Sequence, residues 1–269
     1  MVDFQHPLAI KIRKQIVQAL NDFSMMAPQD HWMVCVSGGK DSSILLALLT
    51  EIQRKSPIPF TFAGVILDQK QPGFKVQDFQ AWVESLGVEL TVLQKDTYSI
   101  VKEKVTDGVY CSLCSRLRRG ILYAHAEKMG FTKLALGHHR DDLIETTLLN
   151  LFFTGRVAAM PPKLLSDDEK NLLVRPMAYV AESDIEELAK AWQIPIIPCN
   201  LCGSQEGLRR KRIKRLINDL EKEIPDIRHS MLGAIGNVHR SQLLDHRLWD
   251  FETLQRTPDK EKRAEELFS

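Results

Sequence analysis

The stretch that most restricts the fold is Val34-Cys35-Val36-Ser37-Gly38-Gly39-Lys40-Asp41-Ser42-Ser43. An apolar run from Met33 to Val36 stops at two glycines, and a leucine-rich run from Ile44 to Leu49 follows at once. This order predicts a strand, a tight loop and a helix. The glycines permit positive φ and close approach to a ligand. Ser42 or Ser43 is expected to cap the helix. A helix start leaves several N–H groups unpaired and carries roughly half a positive charge. Such a terminus is an anion site, to which Lys40 adds a cation and Ser37 and Ser42 add hydroxyl donors.

The remaining chain repeats the same alternation. Ile10 to Phe23 has helical spacing of Ile10, Ile12, Ile16, Val17 and Leu20. Strands are predicted at Phe60 to Leu67, Val88 to Leu93, Thr132 to Leu136, Leu172 to Val174 and Ile194 to Ile197, and helices at Val76 to Leu86, Cys111 to Met129, Leu143 to Phe153 and Ser183 to Trp192. Pro161-Pro162 and Ser166 to Lys170 read as a polar loop. Alternation of this kind predicts an α/β fold with a doubly wound, mainly parallel sheet. Ligands of such sheets sit beyond the carboxyl ends of the strands. The polar motifs fall there: Ser37 to Ser43, Asp68, Gly137 to Asp142, and Arg175.

With 44% hydrophobic and 26% charged residues the chain has the means for a globular core. Its net charge of +1 excludes a general polycation, so contact with nucleic acid must come from local patches. No signal peptide is visible in Met1 to Ile10, and no stretch is apolar for long enough to span a bilayer. A cytosolic protein without a membrane partner is expected.

Three further motifs carry chemistry. Gly137-His138-His139-Arg140-Asp141-Asp142 emerges from a strand end onto a helix start. Adjacent carboxylates facing polyphosphate require a cation between them, and oxygen ligands suit Mg²⁺. Otherwise the two aspartates merely cap the helix. Four of the five cysteines form two Cys-x-x-Cys pairs, Cys111/Cys114 and Cys199/Cys202. Structural zinc, an iron–sulfur cluster, and persulfide or disulfide chemistry all use such pairs. The pairs are expected at the same edge of the sheet as the nucleotide site. Finally, Ile213, Leu216, Ile217 and Leu220 make an apolar stripe, surrounded by Arg209, Arg210, Lys211, Arg212, Lys214 and Arg215. A solvated face is the plain reading. Yet six cations with few acids among them repel, and a phosphate backbone relieves that repulsion. Arg116, Arg118 and Arg119 point the same way.

Ser37 to Ser42 closely resembles the PP-loop of the ATP pyrophosphatases (adenine nucleotide alpha hydrolase-like), which split ATP into AMP and pyrophosphate. Together with Leu67 to Gly73, Cys111-Ser112-Leu113-Cys114, Gly137 to Asp142 and Pro198 to Gln205, it is similar to the tRNA 2-thiocytidine synthetases, the TtcA family. That resemblance spans about Ile10 to Phe251. It implies an ATP-dependent sulfurtransferase that replaces the C2 oxygen of an anticodon-loop cytidine of tRNA with sulfur. ATP is then a co-substrate, bound by Ser37, Gly38, Gly39, Lys40, Asp41, Ser42, Ser43, Asp68, Gly137 and His138. Lys40, Asp41, Asp141 and Asp142 carry catalysis, with Asp41 and Asp141 toward Mg²⁺. The resemblance further implies a [4Fe-4S] cluster on Cys111, Cys114 and Cys202, with Cys199 spare, a cysteine desulfurase as sulfur donor, and a homodimer. Arg116, Arg119, Arg209, Arg210, Lys211 and Arg212 are the expected tRNA contacts. Residues 1–30 read as an N-terminal helical segment, 31–200 as the PP-loop domain, 201–252 as a basic helical region and 253–269 as a charged tail. The alternatives are a persulfide-using or thiouridine-forming thiolase, a lysidine-synthetase-like enzyme, and a zinc-stapled RNA-binding protein without catalysis.

Overall fold

The computed structural model describes residues 2–104, 110–197 and 205–254. One compact unit runs from the N-terminus to Leu232 and holds the sheet; a second begins at Gly233. Five strands are parallel: β1 (Asp30–Val36), β2 (Phe60–Asp68), β3 (Leu90–Gln94), β4 (Lys133–Leu136) and β6 (Leu172–Val174). The short β5 (Lys163–Leu165) runs antiparallel to β6 at one edge. The sheet order is β3-β2-β1-β4-β6-β5. The chain therefore leaves β1 toward β2 and later returns to its other side as β4. That reversal opens a crevice at the carboxyl ends of β1 and β4.

Both faces of β1 are buried, as a central parallel strand requires. Trp32, Val34 and Val36 point into the larger core, which also holds Ile12 and Ile16 of α1 (Pro7–Asp22), Ile44 to Leu49 of α2 (Lys40–Lys55), and Ile185 and Leu188 of α7 (Glu182–Ala191). Met33 and Cys35 point the other way, onto Leu122 and Ala126 of α5 (Tyr110–Met129). The remaining helices are α3 (Gln77–Ser85), α4 (Tyr98–Lys104), α6 (Arg140–Thr154), α8 (Gln205–Glu223) and α9 (Ile227–Gly236). Ile213 and Ile217 of α8 pack on Ile144 of α6, with Met231 and Leu232 of α9 beside them.

Two sequence expectations need correction. Ile194 to Ile197 is not a strand; Ile194 and Ile197 are apolar because they plug the core. The segment's backbone meets the first loop instead, where the Ile197 N–H donates to the Gly38 carbonyl at 2.9 Å. The polar loop after Pro161-Pro162 contains β5, whose three residues are too few to show a period in sequence.

Gly137, at the end of β4, touches the first turn of α2. A Cβ there would lie 2.8 Å from the Ser42 nitrogen and 2.9 Å from its Cα. Backbone atoms cannot swing aside. Gly137→Ala should therefore cost about 1–3 kcal/mol through overpacking, read as a lowered urea midpoint. An unchanged midpoint would mean the two strand ends stand further apart.

Candidate active site

The loop after β1 is built to hold an anion. Gly38 adopts φ +78°, and a Cβ there would meet Ile197 at 2.7 Å. Gly39 is the N-cap of α2, and no side chain caps that helix. The serines serve a different end from the one expected. Ser43 is fully buried and its hydroxyl donates back to the Gly39 carbonyl at 2.8 Å, so it does not face a ligand. Ser42 Oγ accepts from the Ser37 N–H at 3.0 Å and lies 3.1 Å from Ser37 Oγ. Hydroxyls that would have capped the helix brace the loop, and the helix start keeps its partial positive charge for a ligand.

The second motif opens α6, with His139 as N-cap. Its two aspartates have separate tasks. Asp141 is 3% exposed; one oxygen accepts from the Glu182 N–H at 2.8 Å, and the other from Arg228 at 2.6 Å. It thus ties the start of α6 to the starts of α7 and α9, and both oxygens are engaged. This corrects the expectation that Asp141 faces Mg²⁺. Asp142 accepts from the His139 N–H at 3.1 Å and from Arg210 at 2.9 Å. His139 Nε2 stands 3.4 Å from Asp142 Oδ2 and 3.8 Å from Asp41 Oδ1, so these two carboxylates share one corner. Asp41 Oδ1 is within ion-pair distance of Lys40, at 3.1 Å, yet accepts no hydrogen bond. Asp41 and Asp142 thus place carboxylate oxygens beside one imidazole, whereas both oxygens of Asp141 are taken up by protein donors.

Lys40 does not reach into the crevice. It pairs with Asp41 and, at 3.2 Å, with Glu182, whose other oxygen holds Lys214 at 2.5 Å. Burial opposes charge on Glu182, but Lys214 and Lys40 outweigh it and hold its carboxyl down to about 2. Glu182 and Arg228 were not singled out from sequence, because their importance arises from contacts with distant elements.

One cavity of about 510 Å³ lies against these motifs. Ser37, Asp41, Ser42, Gly137, His138 and Asp142 border it, as do Arg119 and Arg210 of the expected RNA contacts. Gly38, Gly39, Lys40, Ser43, Asp68 and Asp141 do not line it. Asp68 instead folds onto its own loop, accepting from the Lys70 N–H at 2.7 Å.

Residues 8–219 match the PP-loop domain family. A tRNA-cytidine(32) 2-sulfurtransferase of Bdellovibrio bacteriovorus is 66% identical over 254 residues, covering 94% of this chain and 98% of that protein. Proteins of the same name from Coxiella burnetii (strain Dugway 5J108-111) and Ectopseudomonas mendocina are 51% and 50% identical, over 91% and 93% of this chain and 96% and 92% of theirs. The chain belongs to the tRNA-cytidine(32) 2-sulfurtransferase family. Among solved structures, the U34-tRNA thiolase NcsA from Methanococcus maripaludis, with its [4Fe-4S] cluster, aligns with a TM-score of 0.68 over 85% of this chain and 78% of its own. At 19% identity that likeness confirms the fold.

Within this PP-loop framework Cys114 lies in α5, and its thiol donates to Gln69 Oε1 at 3.1 Å, just beyond the end of β2. Gln69 is itself fixed by Thr97, whose hydroxyl donates to it at 3.0 Å. Ile197, the last described residue before the second cysteine pair, packs on the Gly38 loop. Cys114 and Ile197 thus both stand at the carboxyl edge of the sheet. Cys199 and Cys202 lie outside the described residues, as does the side chain of Cys111. On α8, Arg210 and Lys214 turn inward to Asp142 and Glu182, while Lys211, Arg212 and Arg215 are exposed. Exposed Arg209 stacks over the Phe153 ring at 4.9 Å. Of the six basic residues of this run, Arg210 and Lys214 are thus held by carboxylates of the site. No helix among the described residues is long and apolar enough to cross a membrane.

His138 borders the cavity, and its Nδ1 has no hydrogen-bond partner. Burial pushes its pKa down to about 4, with Arg175 and Arg210 adding to the effect and Asp142 opposing it. The imidazole is therefore neutral at physiological pH. In the unfolded chain it protonates first, so acidification toward pH 4 costs the folded state stability at this residue. Nitrogen NMR of labelled protein should show His138 neutral well below the ordinary histidine range. A midpoint at the ordinary value would mean that solvent reaches the ring.

Proposed function

We propose that this chain is an ATP-dependent enzyme that converts a cytidine of the tRNA anticodon loop to 2-thiocytidine, acting in the cytoplasm. The observation that carries this reading is convergence. An uncapped PP-loop helix, a carboxylate corner, Cys114 and an arginine-bordered cavity all stand at one edge of the sheet. The 66% identical relative from Bdellovibrio bears the name of this activity.

The chemistry follows from the groups present. A pyrimidine carbonyl oxygen is a poor leaving group. Its lone pair bonds to the α-phosphorus of ATP while the bond to pyrophosphate breaks. The N–H groups at the start of α2, with Ser37, Gly38, Gly39 and Ser42, hold the departing pyrophosphate where its charge develops. Lys40 adds its cation once ATP draws it from Glu182. Asp41 and Asp142 would hold Mg²⁺, which would supply charge neutralisation at the phosphates. Sulfur at the sulfide oxidation level then bonds to C2, and the C2–O bond breaks to release AMP. Asp68, at the end of β2, is a further ATP contact in this reading.

The donor set for the sulfur half is three thiolates, Cys111, Cys114 and Cys202, which suits a [4Fe-4S] cluster. Those cysteines would hold the cluster, which when bound would supply the chemistry of sulfur transfer. A thiolate at a helix start is favoured, and Cys111 lies at the first turn of α5. Cys199 is spare. A cysteine desulfurase supplies the sulfur, and the enzyme works as a homodimer. Arg116, Arg119, Arg209, Lys211 and Arg212 meet tRNA phosphates, while Arg210 reports RNA contact inward to Asp142.

Asp41→Ala should abolish ATP-dependent formation of 2-thiocytidine and the cleavage of ATP to pyrophosphate, with the urea midpoint unchanged. Retention of full thiolation would sink the assignment of this loop. For the cysteines, Cys111→Ala, Cys114→Ala and Cys202→Ala should each lose iron, sulfide and thiolation in anaerobic preparations, while Cys199→Ala keeps the cluster. Zinc held by all four would point to the RNA-binding alternative.

A further inference from the structure

Gln69 follows directly on β2 and is fastened at both ends. Its main-chain carbonyl accepts from the Tyr98 N–H at 3.2 Å, and its side-chain Oε1 accepts from the Thr97 hydroxyl at 3.0 Å. Thr97 is itself anchored, since its carbonyl takes the Val101 N–H at 3.0 Å and so closes the first turn of α4. Gln69 is 7% exposed and Thr97 3%. Immobilising so long a polar side chain costs rotamer freedom, and burying it costs solvation. The group that this outlay sets in place is an amide beside the Cys114 sulfur, 3.1 Å from it.

A thiol donates its proton to an amide oxygen, as Cys114 does to Gln69 Oε1. A thiolate that ligates iron has no proton to give and can only accept. A primary amide serves both cases from one position. A half-turn about its last bond exchanges Oε1 for Nε2, and the Thr97 hydroxyl, donor and acceptor alike, matches either group. Neither a carboxylate nor an apolar side chain of similar shape could do this.

We propose that Gln69 is a positioning residue for the cluster ligand Cys114, its amide N–H, aimed by Thr97, donating to the thiolate sulfur. This rests on the reading of Cys114 as a ligand of a [4Fe-4S] cluster. Donation to a charged sulfur is a charge-assisted hydrogen bond, stronger than a neutral one. It draws electron density from the thiolate, and hydrogen bonds to the sulfurs are among the factors that set a cluster's reduction potential. It also holds the ligand in one orientation, and such partners of metal ligands carry roughly 10–100-fold in metal affinity. The bond joins the end of β2 to α5, so it fixes the ligand-bearing helix to the same sheet edge as the PP-loop.

The test uses full-length protein prepared without oxygen, with glutamine labelled by nitrogen-15 in the side-chain amide. Pulsed EPR of the reduced wild-type cluster should show a coupling to that nitrogen, and Gln69→Leu should lose it. Gln69→Leu should also move the cluster's midpoint potential to a more negative value and speed iron loss to a chelator by roughly tenfold. Gln69→Glu, which sets a carboxylate against the thiolate, should lose iron faster still. Thr97→Val keeps Gln69 but releases its amide, so it should weaken the coupling and shift the potential the same way by less. A purely structural role for Gln69 predicts lowered urea midpoints with the wild-type potential, and that result would overturn the proposal. So would a coupling that survives in Gln69→Leu. If Gln69→Leu does not fold, the wild-type coupling and Thr97→Val decide in the same terms. A cluster that survives Cys114→Ala, or wild-type protein without iron and sulfide, sinks the ligand reading and this proposal with it. A cluster that needs Cys114 but is indifferent to Gln69 sinks the proposal alone.

Discussion

At Gly137 two backbones approach more closely than any side chain allows. The end of β4 lies against the first turn of α2, with the Ser42 nitrogen 2.8 Å from where a Cβ would be. Everything at the carboxyl edge depends on that contact. It sets the PP-loop beside the second strand-end motif, so that Asp41 and Asp142 both reach the His139 ring. Gly38 does the same on the other flank, where Ile197 fills the space a side chain would need. Two glycines in sequence-distant loops thus act as the points at which three segments are pressed together.

Around this contact the structure keeps its charges paired. Glu182 joins Lys40 of the PP-loop to Lys214 of α8, and Asp141 joins α6 to α7 and α9. Buried and half-buried charges need partners with good geometry, because removing one leaves the other stranded. The consequence for function is a coupling: the basic helix that is expected to meet RNA also braces the acids at the nucleotide site. Arg210 and Lys214 cannot change partners without altering Asp142 and Glu182.

Much was legible in the sequence alone. The apolar runs, the glycine pairs and their order were enough for a parallel sheet with its ligands at the carboxyl edge, since alternation and glycine placement are local properties. The PP-loop was legible for the same reason: strand, loop and helix are contiguous. So were the identities of Asp41, Asp142 and His138 as groups at that edge, because strand ends are where polar motifs of such sheets face ligands.

Tertiary structure decided what each polar group does there. Asp141 and Asp142 are neighbours in sequence, yet one is consumed by Arg228 and the α7 start while the other faces the cavity. Ser43 reads as a cap but is buried, and Ser42 braces Ser37. Within one basic run, Arg210 and Lys214 face inward and Lys211 and Arg212 face solvent, because the Ile213 and Ile217 stripe fixes the rotation of α8 on α6. Glu182 carries no motif at all; its significance comes from pairing with Lys40 and Lys214, far away in the chain. Local pattern determines which elements form, whereas burial and counter-charge, which set the state of each ionisable group, exist only once those elements have packed.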